Sequence, residues 1–153
     1  MQLITKIDGY NQQILRILEK DGRIANTELA EQIGLSPSAC LRRVQELEKS
    51  GLIKGYKAVV DPEKLGVGFI AYVAVGLTEH STPSQLAFEQ ALQDVDEIKE
   101  CHNVTGPYEY LLRIETKDLH TFKALHADVL GSISQVRTIT THVVMDSPKD
   151  TRQ

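Results

Sequence analysis

Ser38, Arg42, Gln45 and Lys49 recur at offsets of four, three and four residues. At about 100° per residue, that spacing stacks them along one face of a helix. An arginine so placed reaches guanine edges with both arms of its guanidinium, and a serine hydroxyl bonds a base or a phosphate. Gln45 and Lys49 continue the same face. Arg23, Arg43 and Lys54 are cations suited to phosphate contacts, and Ser36 stands at the start of the helix. The competing reading is a solvated polar face on a small three-helix domain. DNA binding is favoured because a Ser-Pro helix start, a glycine turn, an arginine pair and a following wing coincide in one stretch.

A second loaded spot is Thr105-Gly106-Pro107-Tyr108-Glu109-Tyr110. Glycine permits close backbone approach there, and Glu109 and the tyrosine hydroxyls add polar groups beside exposed N–H donors. A small zwitterion needs that mixture, donors for its carboxylate and an acceptor for its ammonium. An ordinary hairpin with cross-strand aromatic packing is the alternative.

The elements that must position these groups can be read from periodicity. Ile7, Tyr10, Ile14, Ile17 and Leu18 mark a first helix, capped by Asp8 and closed at Asp21-Gly22. A second helix starts near Asn26 and turns inward Leu29, Ala30 and Ile33, and Gly34 permits the tight turn that follows. The third helix opens on Ser36-Pro37, buries Cys40, Val44 and Leu47, and closes at Gly51. Residues 26–52 therefore read as a helix-turn-helix, and residues 53–60 as a short strand pair forming the wing.

Asp61-Pro62-Glu63-Lys64-Leu65-Gly66 is a turn-rich junction. It separates residues 1–61, a winged helix-turn-helix DNA-binding domain, from residues 62–153. The latter read β-α-β-β-α-β, a ferredoxin-like unit, so the fold class is α+β. Strands fall at 69–77, 98–104, 108–115 and 136–145. One helix opens at Thr82-Pro83 with Phe88, Ala91, Leu92 and Val95 inward. The other is capped by Asp118 with Phe122, Leu125, His126 and Val129 inward. Such a sheet is covered on one face only. Its other face is expected to carry Tyr72, Ala74, Ile139 and Val143 or their neighbours, which argues for a partner subunit.

Length and charge agree with this division. The 153 residues, 41% hydrophobic, suffice for one medium domain or two small ones. The net charge of −4 is unevenly spread: residues 1–61 hold 9 Lys+Arg against 8 Asp+Glu, and residues 62–153 hold 8 against 13. The first half is therefore free to approach phosphate. Cys40 and Cys101 form neither a disulfide framework nor a metal motif, and read as buried thiols of a reducing compartment. The apolar run at 65–77 is too short and too glycine-broken to span a membrane. With no signal peptide read at the start, a cytoplasmic protein is expected. No P-loop, G-x-S-x-G or dinucleotide fingerprint is present. No cofactor or metal is expected.

Several ordered segments resemble the Lrp/AsnC family of feast/famine transcriptional regulators. They are IDGYNQQILRILEKDGR at 7–23, LSPSACLRRVQELEKSGLIKGY at 35–56, DPEKLG at 61–66, TGPYEYLLR at 105–113 and VRTITTHVVMDSPKDT at 136–151. The resemblance implies homodimers joined through the C-terminal sheets and often assembled into octamers. It also implies an effector, usually an amino acid, held in the C-terminal domain at an interface between dimers. Carried over, Gly106, Tyr108 and Glu109, with neighbouring Thr105 and Pro107, become effector-site candidates, and Thr141 on the last strand joins them. Glu109 stands where the family usually has aspartate, Pro107 replaces a more polar residue, and Gly9 stands where arginine is common.

The expected function is a ligand-responsive regulator of amino-acid metabolism or transport that binds double-stranded DNA. One alternative is an architectural DNA-organising protein without a dedicated effector. Another is an enzyme on the same architecture, since some relatives of the fold decarboxylate tetrapyrroles using histidines. His80, His102, His120, His126 and His142 show no ligand spacing and read as core or surface residues, with His126 bonded to backbone.

Overall fold

The structure is a computed structural model that describes residues 7–152. The chain forms two compact units, divided between Val59 and Val60.

The first unit contains α1 (Gly9–Lys20), α2 (Asn26–Ile33) and α3 (Pro37–Lys49). Asp8 caps α1 by accepting the Asn11 N–H at 2.9 Å. Gly34 closes α2 in the left-handed region, at φ 73°, and its N–H reaches back to the carbonyls of Ala30 and Glu31. Ser36 then caps α3 through the Ala39 N–H, with Pro37 in the first turn. Ile14, Leu29, Ala30, Ile33, Cys40 and Leu47 form the core, with Val44, Leu18 and Ile53 packed against it.

The wing departs from expectation. Residues 54–60 carry no regular secondary structure, and no strand pair forms there among the described residues. Eight residues give two very short strands and a turn, and an isolated two-stranded ribbon of that size is marginal in water. Instead Tyr56 anchors the segment. Its hydroxyl donates to Glu48 Oε1 at 2.8 Å, and a side chain on Gly22 would press against its ring, 3.2 Å from Cδ1. Partial burial and the Glu48 carboxylate push the Tyr56 hydroxyl up to about 12.

The second unit runs β1 (Phe69–Leu77), α4 (Thr82–Leu92), β2 (Ile98–Asn103), β3 (Tyr110–Thr116), α5 (Leu119–Asp128), a 3₁₀ turn at Leu130–Ser132 and β4 (Val136–Val143). The strands form one antiparallel sheet in the order β2-β3-β1-β4. Ala71, Val73, Val75 and Leu77 from β1 face the helices with Leu112, Ile114, Phe88, Phe122 and Leu125. Fully burying one such side chain contributes roughly 1.5–3 kcal/mol. Phe88 packs on Tyr110 at 4.7 Å between ring centroids, and Phe69 on Phe122 at 4.9 Å.

Register decides what the open face carries. Ile139 pairs with Val75 and Val143 with Ala71, so both lie on the helix side with their partners, not on the open face. The open face takes the alternate set, Tyr72, Ala74 and Gly76 opposite His142, Thr140 and Thr138, with Arg113 and Leu111 across β3. It is largely polar. Arg113 is 6% exposed, donates to the Tyr72 hydroxyl at 3.0 Å and sits over that ring. Arg152 from the C-terminal segment bonds Glu100, Asp150 and the same hydroxyl.

Smaller departures have simple causes. Ala91 is exposed because the buried stripe of α4 runs through Ser84, Phe88 and Leu92. Cys101 is exposed because β2 is an edge strand, although partial shielding and then Glu89 push its thiol up to about 11. His126 is half-buried against the edge of Phe122, and no hydrogen bond to backbone holds it among the described residues.

Candidate functional site

Two sites emerge, one in each unit. The first is the outer face of α3. Ser38, Arg42, Gln45 and Lys49 are all exposed there, opposite buried Cys40 and Leu47. Arg42 and Lys49 enter no ion pair among the described residues, and neither do Arg23 and Lys54, both also exposed. Ser36 is committed to its cap and lies 3.3 Å from the Ser38 hydroxyl. Arg23, Arg42, Gln45, Lys49 and Lys54 thus carry side-chain donors without internal acceptors among the described residues, which is what a phosphate or a base edge requires.

Arg43 is placed otherwise than the sequence suggested. Its Nη1 donates to Asp8 Oδ2 at 2.7 Å and to Asn11 Oδ1 at 3.2 Å, and its guanidinium lies 5.0 Å from the Tyr10 ring centre. It therefore ties α3 to the start of α1. The Asn11 N–H and then the Arg43 guanidinium hold the Asp8 carboxyl below its usual range. A second clasp joins α2 to α3, where Asn26 Nδ2 donates to the Pro37 carbonyl at 2.9 Å. Sequence reasoning missed Asp8, Asn11 and Asn26 as positioning residues, because a long-range pairing leaves no periodic signal.

The second site is the turn between β2 and β3, at the end of the sheet where β1 finishes. Val104 N–H closes it onto the Glu109 carbonyl at 2.8 Å, and Glu109 N–H donates to the Val75 carbonyl at 3.1 Å. Thr105, Gly106 and Pro107 are exposed, while Tyr108 and Glu109 are half-buried. Gly106 has φ 122°, a conformation L side chains rarely adopt, with open space around it. Among the described residues the N–H groups of Thr105, Gly106 and Tyr108 donate to no protein acceptor. Pro107 has no N–H to offer.

Glu109 reaches sideways from this turn. Its Oε2 accepts the Leu77 N–H at 2.6 Å, and its Oε1 lies 2.7 Å from His80 Nδ1. The Leu77 N–H is available because β1 and β4 shift register between Gly76 and Leu77. A side chain at Gly76 would collide with the Thr138 hydroxyl and lie 3.7 Å from Glu109 Oε2. Thr141 is not brought to this place. It pairs with Val73, further along β1 and on the helix side, and Thr138 stands nearer the turn. His80 and Thr138 were thus not anticipated, since only the fold joins them to Glu109.

The other histidines are dispersed: His102 bonds Glu100 at 3.1 Å and His126 packs on Phe122. No helix among the described residues is long and apolar enough to cross a membrane.

Comparison with known proteins assigns a family to each unit. Residues 7–54 match the winged helix-turn-helix DNA-binding family, and residues 70–153 match the Lrp/AsnC ligand binding domain. The leucine-responsive regulatory protein of Escherichia coli strain K12 is 36% identical over 147 residues, covering 96% of this chain and 90% of its own length. A transcriptional regulator of Neisseria meningitidis, solved in complex with L-Met, superposes with a TM-score of 0.89 at 31% identity, over 94% of this chain and 92% of that one. A feast or famine regulatory protein of M. tuberculosis, complexed with L-methionine, gives 0.85 at 28% identity, over 96% and 97%. The chain belongs to the Lrp/AsnC family of transcriptional regulators, pairing a winged helix-turn-helix DNA-binding domain with a ligand-binding α+β domain.

Proposed function

We propose that this protein is a sequence-specific regulator of amino-acid metabolism or transport whose operator binding is modulated by an amino acid held at the β2–β3 turn. The observation that carries the reading is the free outer face of α3. Ser38, Arg42, Gln45 and Lys49 project from a rigid helix whose opposite side is locked in the core. Residues 1–61 read DNA in this scheme, and residues 62–153 hold the effector and the partner subunits.

The turn supports the effector half of the proposal. Three unpaired N–H groups belong to the turn from which the Glu109 carboxylate also reaches, donors for a carboxylate and an acceptor for an ammonium. The relatives solved with L-methionine point to the same ligand class. The assembly required is a homodimer, since two reading heads about one DNA turn apart match a partly palindromic site. Octamers follow as the resemblance implies. An effector acts by binding two arrangements of the assembly with different affinity.

Arg42→Ala tests the DNA-reading half. It should cost about 1–3 kcal/mol of operator affinity and relax specificity at one base position, measured by binding to a library of operator variants. Equal loss on random DNA would reduce Arg42 to a phosphate contact. A thermal-shift screen of the twenty amino acids tests the effector half, because a ligand of the folded state alone raises the melting temperature by mass action. Absence of any shift would favour a DNA-organising protein with no amino-acid effector.

A further inference from the structure

We propose that His80 competes with the effector's ammonium for Glu109, so that the segment between β1 and α4 must release the carboxylate before a ligand is held. The inference rests on the effector reading of the turn and adds a residue to it.

Only 12% of the Glu109 side chain is exposed, against 73% for His80. A carboxylate so withdrawn from water needs donors on both oxygens. The Leu77 N–H supplies one, and it is fixed, being backbone at the register shift that ends β1. His80 supplies the other, and it is replaceable. It stands outside every helix and strand, on an exposed stretch, and is no member of the core. Oε1 is therefore the exchangeable acceptor of the pair.

A primary ammonium can take over Oε1, exchanging one charge-assisted donor for another. The three unpaired N–H groups of the turn then receive the ligand's carboxylate. A free α-amino acid satisfies both ends. A simple carboxylic acid leaves His80 in place, and a simple amine leaves the N–H groups unfilled. Selection for the zwitterion thus needs both halves, an ammonium to displace the internal donor and a carboxylate to fill the N–H groups. Its cost is that measured affinity falls by the fraction of molecules in which Oε1 is free.

Calorimetric titration of the folded full chain with each of the twenty amino acids tests this in the parent, His80→Ala, Glu109→Gln and the double variant. Far-UV spectra and DNA binding serve as checks of folding. His80→Ala should bind the responding amino acid roughly 3- to 10-fold more tightly, as expected when a competing closed state is removed. Glu109→Gln should weaken binding, and adding His80→Ala to it should restore nothing, because the two substitutions act on one contact. Unchanged or weaker binding by His80→Ala, or a gain that persists in the Glu109→Gln background, overturns the competition while leaving the effector site standing. If no amino acid binds the parent or His80→Ala, the effector reading itself falls, and this inference with it.

Discussion

Replacing Arg43 by alanine removes a guanidinium that donates to Asp8 and to Asn11. The ion pair is partly exposed, at 26% and 42% for its two side chains, and by itself contributes at most about 1 kcal/mol. Asn11 is only 7% exposed, and leaving its amide oxygen unpaired adds a desolvation cost. Arg43→Ala should therefore lower stability by about 1–3 kcal/mol, seen as a lower urea midpoint with an unchanged slope. Arg42→Ala should leave that midpoint nearly unmoved and act on DNA instead. The same tie sets an acid limit. The Asp8 carboxyl is held below the ordinary value of about 3.9 by the Asn11 N–H and Arg43. Its contribution is present in full above that value and is lost as pH falls through the depressed one. Acid unfolding monitored by fluorescence or circular dichroism should show the Arg43→Ala chain losing less on acidification below pH about 4 than the parent.

At the level of elements, the end of β1 is where strand geometry meets the Glu109 carboxylate. Gly76 allows β4 to approach closely enough that a methyl group would strike the Thr138 hydroxyl. Gly76→Ala should destabilise by about 1–3 kcal/mol through overpacking. Adding Thr138→Ala should recover much of that loss, as measured by urea unfolding of the two chains. The β-α-β-β-α-β order was legible in the sequence because each strand and helix carries its own local pattern, such as Thr82-Pro83 at a helix start and the apolar run of β1. What could not be read was register. Ile139 and Val143 looked equally able to face either side until their pairing with Val75 and Ala71 was known. The strand pair expected at the wing does not form for a related reason, since residues 53–60 have strand-like composition but no pairing partner among the described residues. The candidate turn was legible as a cluster, yet His80 and Thr138 join it only because the register shift delivers the Leu77 N–H to Glu109.

For the molecule as a whole, exposed aliphatic side chains occur along both units, and three of them follow closely in the chain where the units divide. Val59 is 66% exposed, Val60 52% and Leu65 72%. A homodimer that covers such residues should show a melting temperature that rises with protein concentration, and sedimentation should give twice the chain mass or more. A monomer at micromolar concentration with a concentration-independent transition would remove the symmetric-operator proposal. The structure of α3 has a further consequence. The groups that hold this helix, namely Cys40, Leu47, Arg43 and the Pro37 carbonyl bonded by Asn26, share no member with the groups it displays, Ser38, Arg42, Gln45 and Lys49. If that displayed face reads DNA as proposed, selection can rewrite the address letter by letter without renegotiating stability, so that copies of the gene are free to diverge toward new promoters while the scaffold stays as it is.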